Sequence, residues 1–386
     1  MAPRKDNPKA GKGRKGRKLR VPFRRNRQQP RREKDWTSKA HEAEDFHIDD
    51  ALEERVTPKG DLSRQRTIIV DDEGNELIED LRSGVVVAMR GLFAEVDDGD
   101  RIWPCTVRRI LRTRRTEERH RVTVGDQVDF RVAKEAEGVV QEGVIERVAD
   151  RKSQLRRRAR RRVHTIAANI DQAVIVSSTA EPDPKPHLID RYIVASLAGG
   201  ITPVVCMNKM DLDDRGFGAP ILERYEVLGY RTLSSSAVTG EGVDVLKEVL
   251  KGKSSVIAGQ SGVGKSSLLN AVQPDLNLQI GDIVEQTQKG RHTTSTATLI
   301  RLRLGGYVVD TPGVKSLDIS TVEKGEIEVH FLEFQPHIPD CKFPDCTHTH
   351  ETDCAVKAAV EAGLIHPERY ESYVRMFEEP WGTENW

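Results

Sequence analysis

Residues 256–268, V-I-A-G-Q-S-G-V-G-K-S-S-L, hold the densest set of residues in the chain whose types and spacing could do chemistry. Gly259, Gly264, Lys265 and Ser266 satisfy the pattern G-x-x-x-x-G-K-[ST]. Gly259, Gly262 and Gly264 let backbone N–H groups curl around phosphate oxygens with no Cβ in the way. Gln260, Ser261, Val263 and Ser267 complete the cradle. Lys265 would reach the β- and γ-phosphates as a point charge, and the Ser266 hydroxyl would sit on Mg²⁺. An apolar strand signal, Val256 to Ala258, precedes the turn. A helical pattern led by Leu268 and Leu269 follows it and aims its positive N-terminus at the same anion.

The base that accompanies those phosphates is read from Asn208-Lys209-Met210-Asp211, an N-K-x-D at the end of a buried strand. A carboxylate at Asp211 accepts both the N1–H and the 2-amino hydrogens of guanine. Adenine lacks that donor pair and would leave polar groups unpaired. Lys209 would lie along the base plane, and Asn208 would brace the neighbouring loops. In Ser236-Ala237-Val238-Thr239-Gly240 the Ala237 N–H could meet the guanine O6, and Ser236 belongs to the same pocket. GTP and GDP are therefore the expected ligands.

After the phosphate loop comes Gly290-Arg291-His292-Thr293-Thr294-Ser295. One of Thr293 or Thr294, with Thr294 adopted as the assignment, would ligate Mg²⁺ and feel the γ-phosphate. Tyr307-Val308-Val309 then runs into Asp310-Thr311-Pro312-Gly313, a D-x-x-G at a strand end. Asp310 would hold Mg²⁺ through its water shell, and the Gly313 N–H would meet the γ-phosphate. In most GTPases the phosphate loop comes first and N-K-x-D last. Here the order is reversed, which implies a circular permutation whose old termini are closed through 251–254.

Near the end of the chain, Cys341-x₄-Cys346-x-His348-x₅-Cys354 packs four good zinc ligands into a short span. Three thiolates and one imidazole suit one closed, structural Zn²⁺ site per chain. His337 and His350 are spare candidates. Helical patterns at 355–362 and 367–377 suggest a small zinc-stapled helical domain.

These sites need elements to carry them. Between Thr165 and Asp310 apolar strands alternate with helices, which implies a mostly parallel sheet with the site at its C-terminal edge. Ala173–Val176 and Thr202–Met207 read as buried strands. The stripes Leu188, Ile189, Tyr192, Ile193, Leu197 and Val243, Leu246, Val249, Leu250 read as helices. From Ser83 to Lys152 five short strands with glycine turns fit an OB-fold barrel, a fold that binds oligonucleotides on one face. The basic segment 106–121 would be a loop or inserted helix on its RNA side. Residues 151–162 carry eight basic residues and no acid, and read as a linker that touches phosphate.

Composition adds a polarity hidden by zero net charge, with 61 Lys+Arg against 61 Asp+Glu in 386 residues. Residues 1–40 hold 16 basic and three acidic residues; 41–80 hold 14 acidic and four basic. Neither stretch is apolar enough to offset the entropy of ordering, so most of 1–80 is expected to be disordered or weakly ordered. Its basic arm suits RNA. No run of about 18 apolar residues predicts a membrane span, and the basic N-terminus lacks the apolar core of a secretory signal. Cys105 and Cys206 lie in strand-like runs, as buried thiols in a reducing compartment would. The expected layout is multidomain: extension 1–80, OB-fold RNA-binding barrel 81–152, circularly permuted α/β P-loop GTPase 153–324 and zinc-binding helical domain 325–386.

Together, G-Q-S-G-V-G-K-S-S-L, N-K-M-D before it, G-R-H-T-T after it, D-T-P-G-V and C-x₄-C-x-H-x₅-C resemble the RsgA (YjeQ) circularly permuted GTPases. The likeness covers about 83–380, the barrel included. It implies a cytoplasmic, ribosome-stimulated GTP phosphohydrolase that binds rRNA and acts in late maturation of the small (30S) ribosomal subunit. A monomer is expected. The extension over 1–80 departs from the family. Val314 stands where a water-positioning glutamine usually follows D-x-x-G, so slow intrinsic hydrolysis is expected. His292 is the candidate to orient water while neutral, a role the resemblance also favours. Two other readings compete: a nucleotide-gated RNA-binding module in which hydrolysis matters little, and a permuted GTPase serving the large subunit.

Overall fold

The computed structural model describes residues 17–22, 65–70, 81–91, 93–107, 122–132, 142–159, 162–278, 297–310 and 319–378. Within the extension, Arg17–Pro22 (β1) and Gln65–Val70 (β2) pair antiparallel, from Arg17↔Val70 to Pro22↔Gln65. The basic segment expected as a barrel loop or helix lies outside the described residues from 108 onward.

Five strands make the barrel: Arg82–Arg90 (β3), Phe93–Asp97 (β4), Ile102–Val107 (β5), Gln127–Val132 (β6) and Gly143–Val148 (β7). Their order is β3-β4-β5-β7-β6, and β3 pairs β6 to close the ring. The β5–β7 pair is parallel and the others antiparallel, which is the OB-fold connection. Alternation places Val86, Ala94, Val96, Trp103, Cys105, Phe130 and Ile145 inside.

The α/β unit follows. Gln172–Ser178 (β10), Thr202–Asn208 (β11), Arg231–Ser234 (β12), Ser254–Ala258 (β13) and Tyr307–Asp310 (β15) run parallel, and Thr298–Arg301 (β14) is antiparallel to β15. Every residue of β10 is buried, because helices cover both faces. Ala173 and Ile175 face helices Pro186–Ala198 (α1) and Gly218–Val227 (α2). Val174 and Val176 face Val243–Leu250 (α3) and Lys265–Val272 (α4).

Between the two units, the basic run expected as a linker is instead half of a ribbon. Gln154–Ala159 (β8) pairs antiparallel with Arg162–Ala168 (β9), with a register shift between Leu155 and Arg156. Leu155 is buried and anchors the ribbon's base, while Arg156, Arg157 and Arg158 are exposed. Like charges are tolerated in such a strand when alternate side chains project into water.

The barrel and the α/β unit share one sheet of eleven strands, β12-β11-β10-β13-β15-β14-β3-β4-β5-β7-β6. The bond between them is the pairing of Thr298 with Ala88. A bulge in β3 between Val86 and Ala88 makes this possible. It leaves Val86 in the barrel core and turns Val87 into the core of the α/β unit.

The C-terminal unit is joined differently. Its helices Ala355–Glu361 (α5) and Pro367–Glu378 (α6) enclose Phe331, Phe334, Ile365, Tyr373 and Met376, and Val194 of α1 enters this same cluster. At the seam Arg369 donates from Nη1 to Asp190 Oδ1 (2.6 Å) and from Nε to Glu333 Oε1 (2.7 Å). Tyr225 Oη donates to the same Asp190 oxygen (2.7 Å). Arg369 and Asp190 are buried. Burial disfavours the guanidinium's charge, but the carboxylates of Asp190 and Glu333 outweigh it and raise its pKa.

Candidate functional site

The phosphate loop sits where β13 hands the chain to α4. Gly259 (φ 147°) and Gly264 (φ 93°) cannot be replaced there: an added Cβ would lie 2.2 Å from the Val176 carbonyl oxygen and 2.4 Å from Asn208 Nδ2. Lys265 Nζ donates to the carbonyls of Gly259 (2.8 Å) and Gln260 (2.7 Å), which folds the ammonium over the loop it would share with phosphates. Ser266 and Ser267 occupy the first turn of α4.

The strand end that carries N-K-x-D is built around buried Asn208. Its Nδ2 donates to Val263 O (2.8 Å), tying the N-K-x-D loop to the phosphate loop. Its Oδ1 accepts from Ala237 N (3.3 Å) and Ser235 Oγ (3.3 Å), tying in the third loop. The Ala237 N–H expected to meet a guanine O6 is thus engaged with Asn208, and a base carbonyl would share it. Ser236 Oγ donates to Asp211 Oδ1 (2.5 Å) and orients that carboxylate. Met210 and Asp211 sit in a single 3₁₀ turn that follows Lys209, whose φ of 60° is left-handed.

Two residues of this pocket carry no motif. Thr179 Oγ1 donates to the Lys209 carbonyl (2.6 Å), and Lys209 Nζ donates to the Glu181 carbonyl. Both follow β10, the strand beside the phosphate-loop strand, so they hold Lys209 in its strained turn. Only the tertiary pairing of β10 with β11 and β13 brings them there.

Asp310 ends β15, and burial raises its carboxyl above the usual range. A cation beside it would act in the opposite direction. His292, Thr293, Thr294 and Gly313 lie outside the described residues.

In the C-terminal unit Cys341, Cys346, His348 and Cys354 converge, their ligand atoms all within 4.8 Å of one another. His348 Nδ1 stands 3.3 Å from Cys354 Sγ and 3.6 Å from Cys341 Sγ. Burial pushes the Cys346 thiol up to about 12 and raises that of Cys354, a shift that a bound cation would oppose. The donor set fits a tetrahedral metal centre. His348 Nε2 lies 3.1 Å from Glu328 Oε2, which leaves Nδ1 as the metal-facing nitrogen. The spare candidates are not in the cluster: the His350 side chain is 81% exposed, and His337 presents its backbone carbonyl to Cys341. The sequence reading missed Glu328, which no spacing rule connects to a ligand twenty residues on.

The sheet order, the phosphate loop and an N-K-x-D that precedes it define a circularly permuted P-loop GTPase with an OB-type barrel on one flank. A family model described as RsgA GTPase matches residues 148–320. The small ribosomal subunit biogenesis GTPase RsgA of Thermotoga petrophila is 40% identical over 303 residues, covering 77% of this chain and 96% of the relative. The protein of the same name from Moorella thermoacetica is 40% identical over 296 residues, with the same coverage of both chains. The crystal structure of YjeQ from Thermotoga maritima superposes with a TM-score of 0.63 at 37% identity, over 77% of this chain and 97% of that one. The structure of YloQ, a circularly permuted GTPase, gives a TM-score of 0.59 at 31% identity, over 78% and 94%. The chain belongs to the RsgA GTPase family. Among the described residues no helix is long and apolar enough to cross a membrane.

Proposed function

We propose that this protein is a cytoplasmic GTPase that docks as a monomer on the small ribosomal subunit, binds its rRNA and times a late step of its maturation by hydrolysing GTP to GDP and phosphate. The observation that carries this reading is the shared sheet. A guanine-nucleotide site stands between an OB-type barrel and a metal-stapled unit, so both flanks can sense one partner. Asp211, oriented by Ser236, reads guanine, while Lys209, Met210 and Ala237 line the base. Gly259 to Ser267 wrap the phosphates, with Lys265 leaving its carbonyl partners for the β–γ oxygens. Ser266, Thr294 and Asp310 hold Mg²⁺, which when bound neutralises charge developing on the transferred phosphoryl group. Gly313 meets the γ-phosphate. The cation in the Cys341, Cys346, His348 and Cys354 cluster is a structural Zn²⁺.

With Val314 in the usual glutamine position, water orientation falls to His292 in its neutral form. His292→Ala is expected to lower subunit-stimulated turnover while GTP affinity stays unchanged; unaltered stimulated turnover removes the residue from the mechanism.

The exposed arginines of the β8–β9 ribbon support contact with phosphate backbone. The decisive measurement is GTP turnover with purified small subunits, repeated with large subunits. Acceleration by small subunits alone supports the reading. Acceleration by large subunits, or by neither, overturns it. A steep salt dependence of RNA binding with no nucleotide dependence would favour the RNA-binding module instead.

A further inference from the structure

β15 is four residues long and has a function at each end. At its C-terminal end stands Asp310, the first residue of D-T-P-G. At its N-terminal end Tyr307 Oη reaches out of the α/β unit and donates to Asp97 Oδ2 of the barrel (2.9 Å). Three residues of extended chain, about 10 Å, separate the two. Asp97 is 3% exposed, and its carboxylate is used from both sides of the junction. From the barrel, the Gly99 N–H donates to Oδ1 (2.9 Å). From β14, Arg301 Nη1 approaches Oδ1 (3.3 Å) and donates to the Gly99 carbonyl (2.7 Å).

β14 and β15 lie between the G-R-H-T-T stretch and D-T-P-G in the chain, with Thr298 at the start of β14 paired to Asp310 at the end of β15. Each therefore has one end at the nucleotide site and a residue held by the same barrel carboxylate. The contact is backed by the Thr298–Ala88 pairing and by Val87, the barrel residue packed into the α/β core. A barrel that shifts on its partner cannot do so without pulling on Asp97, and Asp97 bears on the strand that places Asp310.

We propose that Asp97 is a positioning residue for GTP hydrolysis: through Tyr307 and Arg301 it sets the placement of the strand ending in Asp310 according to how the barrel is held. This deepens the proposed function and rests on it for the identity of the partner. The coupling itself is internal to the chain. By linkage it must run both ways, so nucleotide state alters the barrel as the barrel alters hydrolysis.

The test is hydrogen exchange across 82–107 in the full-length protein with Mg²⁺ and either GDP or a non-hydrolysable GTP analogue. The wild type is expected to show different barrel protection in the two states. Tyr307→Phe, which removes one hydroxyl, and Asp97→Asn, which removes the charge but keeps an acceptor, are expected to shrink that difference at least about fivefold, the lower end of ordinary coupling energies. No difference in the wild type, or an undiminished one in both variants, overturns the proposal. In turnover assays with small subunits, kcat for the stimulated reaction should fall at least about fivefold in Tyr307→Phe, with KM for GTP and basal turnover within about twofold. A parallel change in basal and stimulated rates would mark local damage and also overturn it. Failure of small subunits to accelerate the wild type would instead sink the proposed function, leaving the exchange result to judge Asp97 alone.

Discussion

The α/β unit is attached to its two neighbours by opposite means. The barrel is joined through backbone: one sheet runs across the junction, with the Asp97 contacts at its margin. The C-terminal unit is joined through side chains: Arg369 bridges Asp190 and Glu333 in a buried seam, with Val194 of α1 inserted beside it. A shared sheet transmits displacement along its strands, because neighbouring strands cannot slide without breaking register. A buried ionic latch holds one docked geometry and releases it whole, because an unpaired charge in the seam is costly. The barrel is thus suited to graded coupling with the nucleotide site, and the C-terminal unit to all-or-none docking.

Depriving the Cys341, Cys346, His348 and Cys354 cluster of the metal it could hold should separate the two attachments most sharply. Chelation, or Cys346→Ser, takes away roughly 10 kcal/mol of metal-linked folding energy from the C-terminal unit. Hydrogen exchange should show 319–378 losing protection while 82–107 and 172–258 keep theirs. Loss of protection in the barrel as well would mean that the attachments are not independent. Next in size is the latch. Arg369→Ala leaves Asp190 and Glu333 buried without their cation, an expected cost of about 3–5 kcal/mol in the seam. Thermal unfolding should then split, with the C-terminal unit melting first; a single transition lowered as a whole would show the latch to be part of one cooperative core. The smallest effect belongs to the margin of the shared sheet. The Arg301 side chain is 54% exposed, so Arg301→Gln should cost no more than about 1 kcal/mol in denaturant unfolding. A larger cost would mean that the barrel too is held by charge and not by the sheet.

What the sequence disclosed and what it withheld divide along the same line. The phosphate loop, N-K-M-D and the cysteine cluster were legible because each is a local spacing that the chemistry demands. The barrel strands β4, β5 and β6 were legible because each alternates over a half-buried surface, and β3 because it is an unbroken apolar run. The residues that join these pieces were not. Asp190 sits inside the apolar stripe of α1, between Ile189 and Tyr192. A charge in such a stripe signals a buried partner without saying that the partner is Arg369, 179 residues away. Thr179 and Glu181 look like ordinary loop residues until β11 brings Lys209 beside them. The run 151–162 has the charge of a linker, which hides a strand anchored by Leu155.

The pairing of β14 with β3 also bears on how the chain can be cut. In a fragment that begins after the barrel, β14 becomes an edge strand, with its outer backbone donors and acceptors bare and its apolar residue Leu299 close behind. Such an edge is a template for another copy of itself. The barrel therefore covers the β14 edge at Thr298, and a fragment that keeps the chain from near residue 81 is expected to aggregate less than one that starts near residue 153.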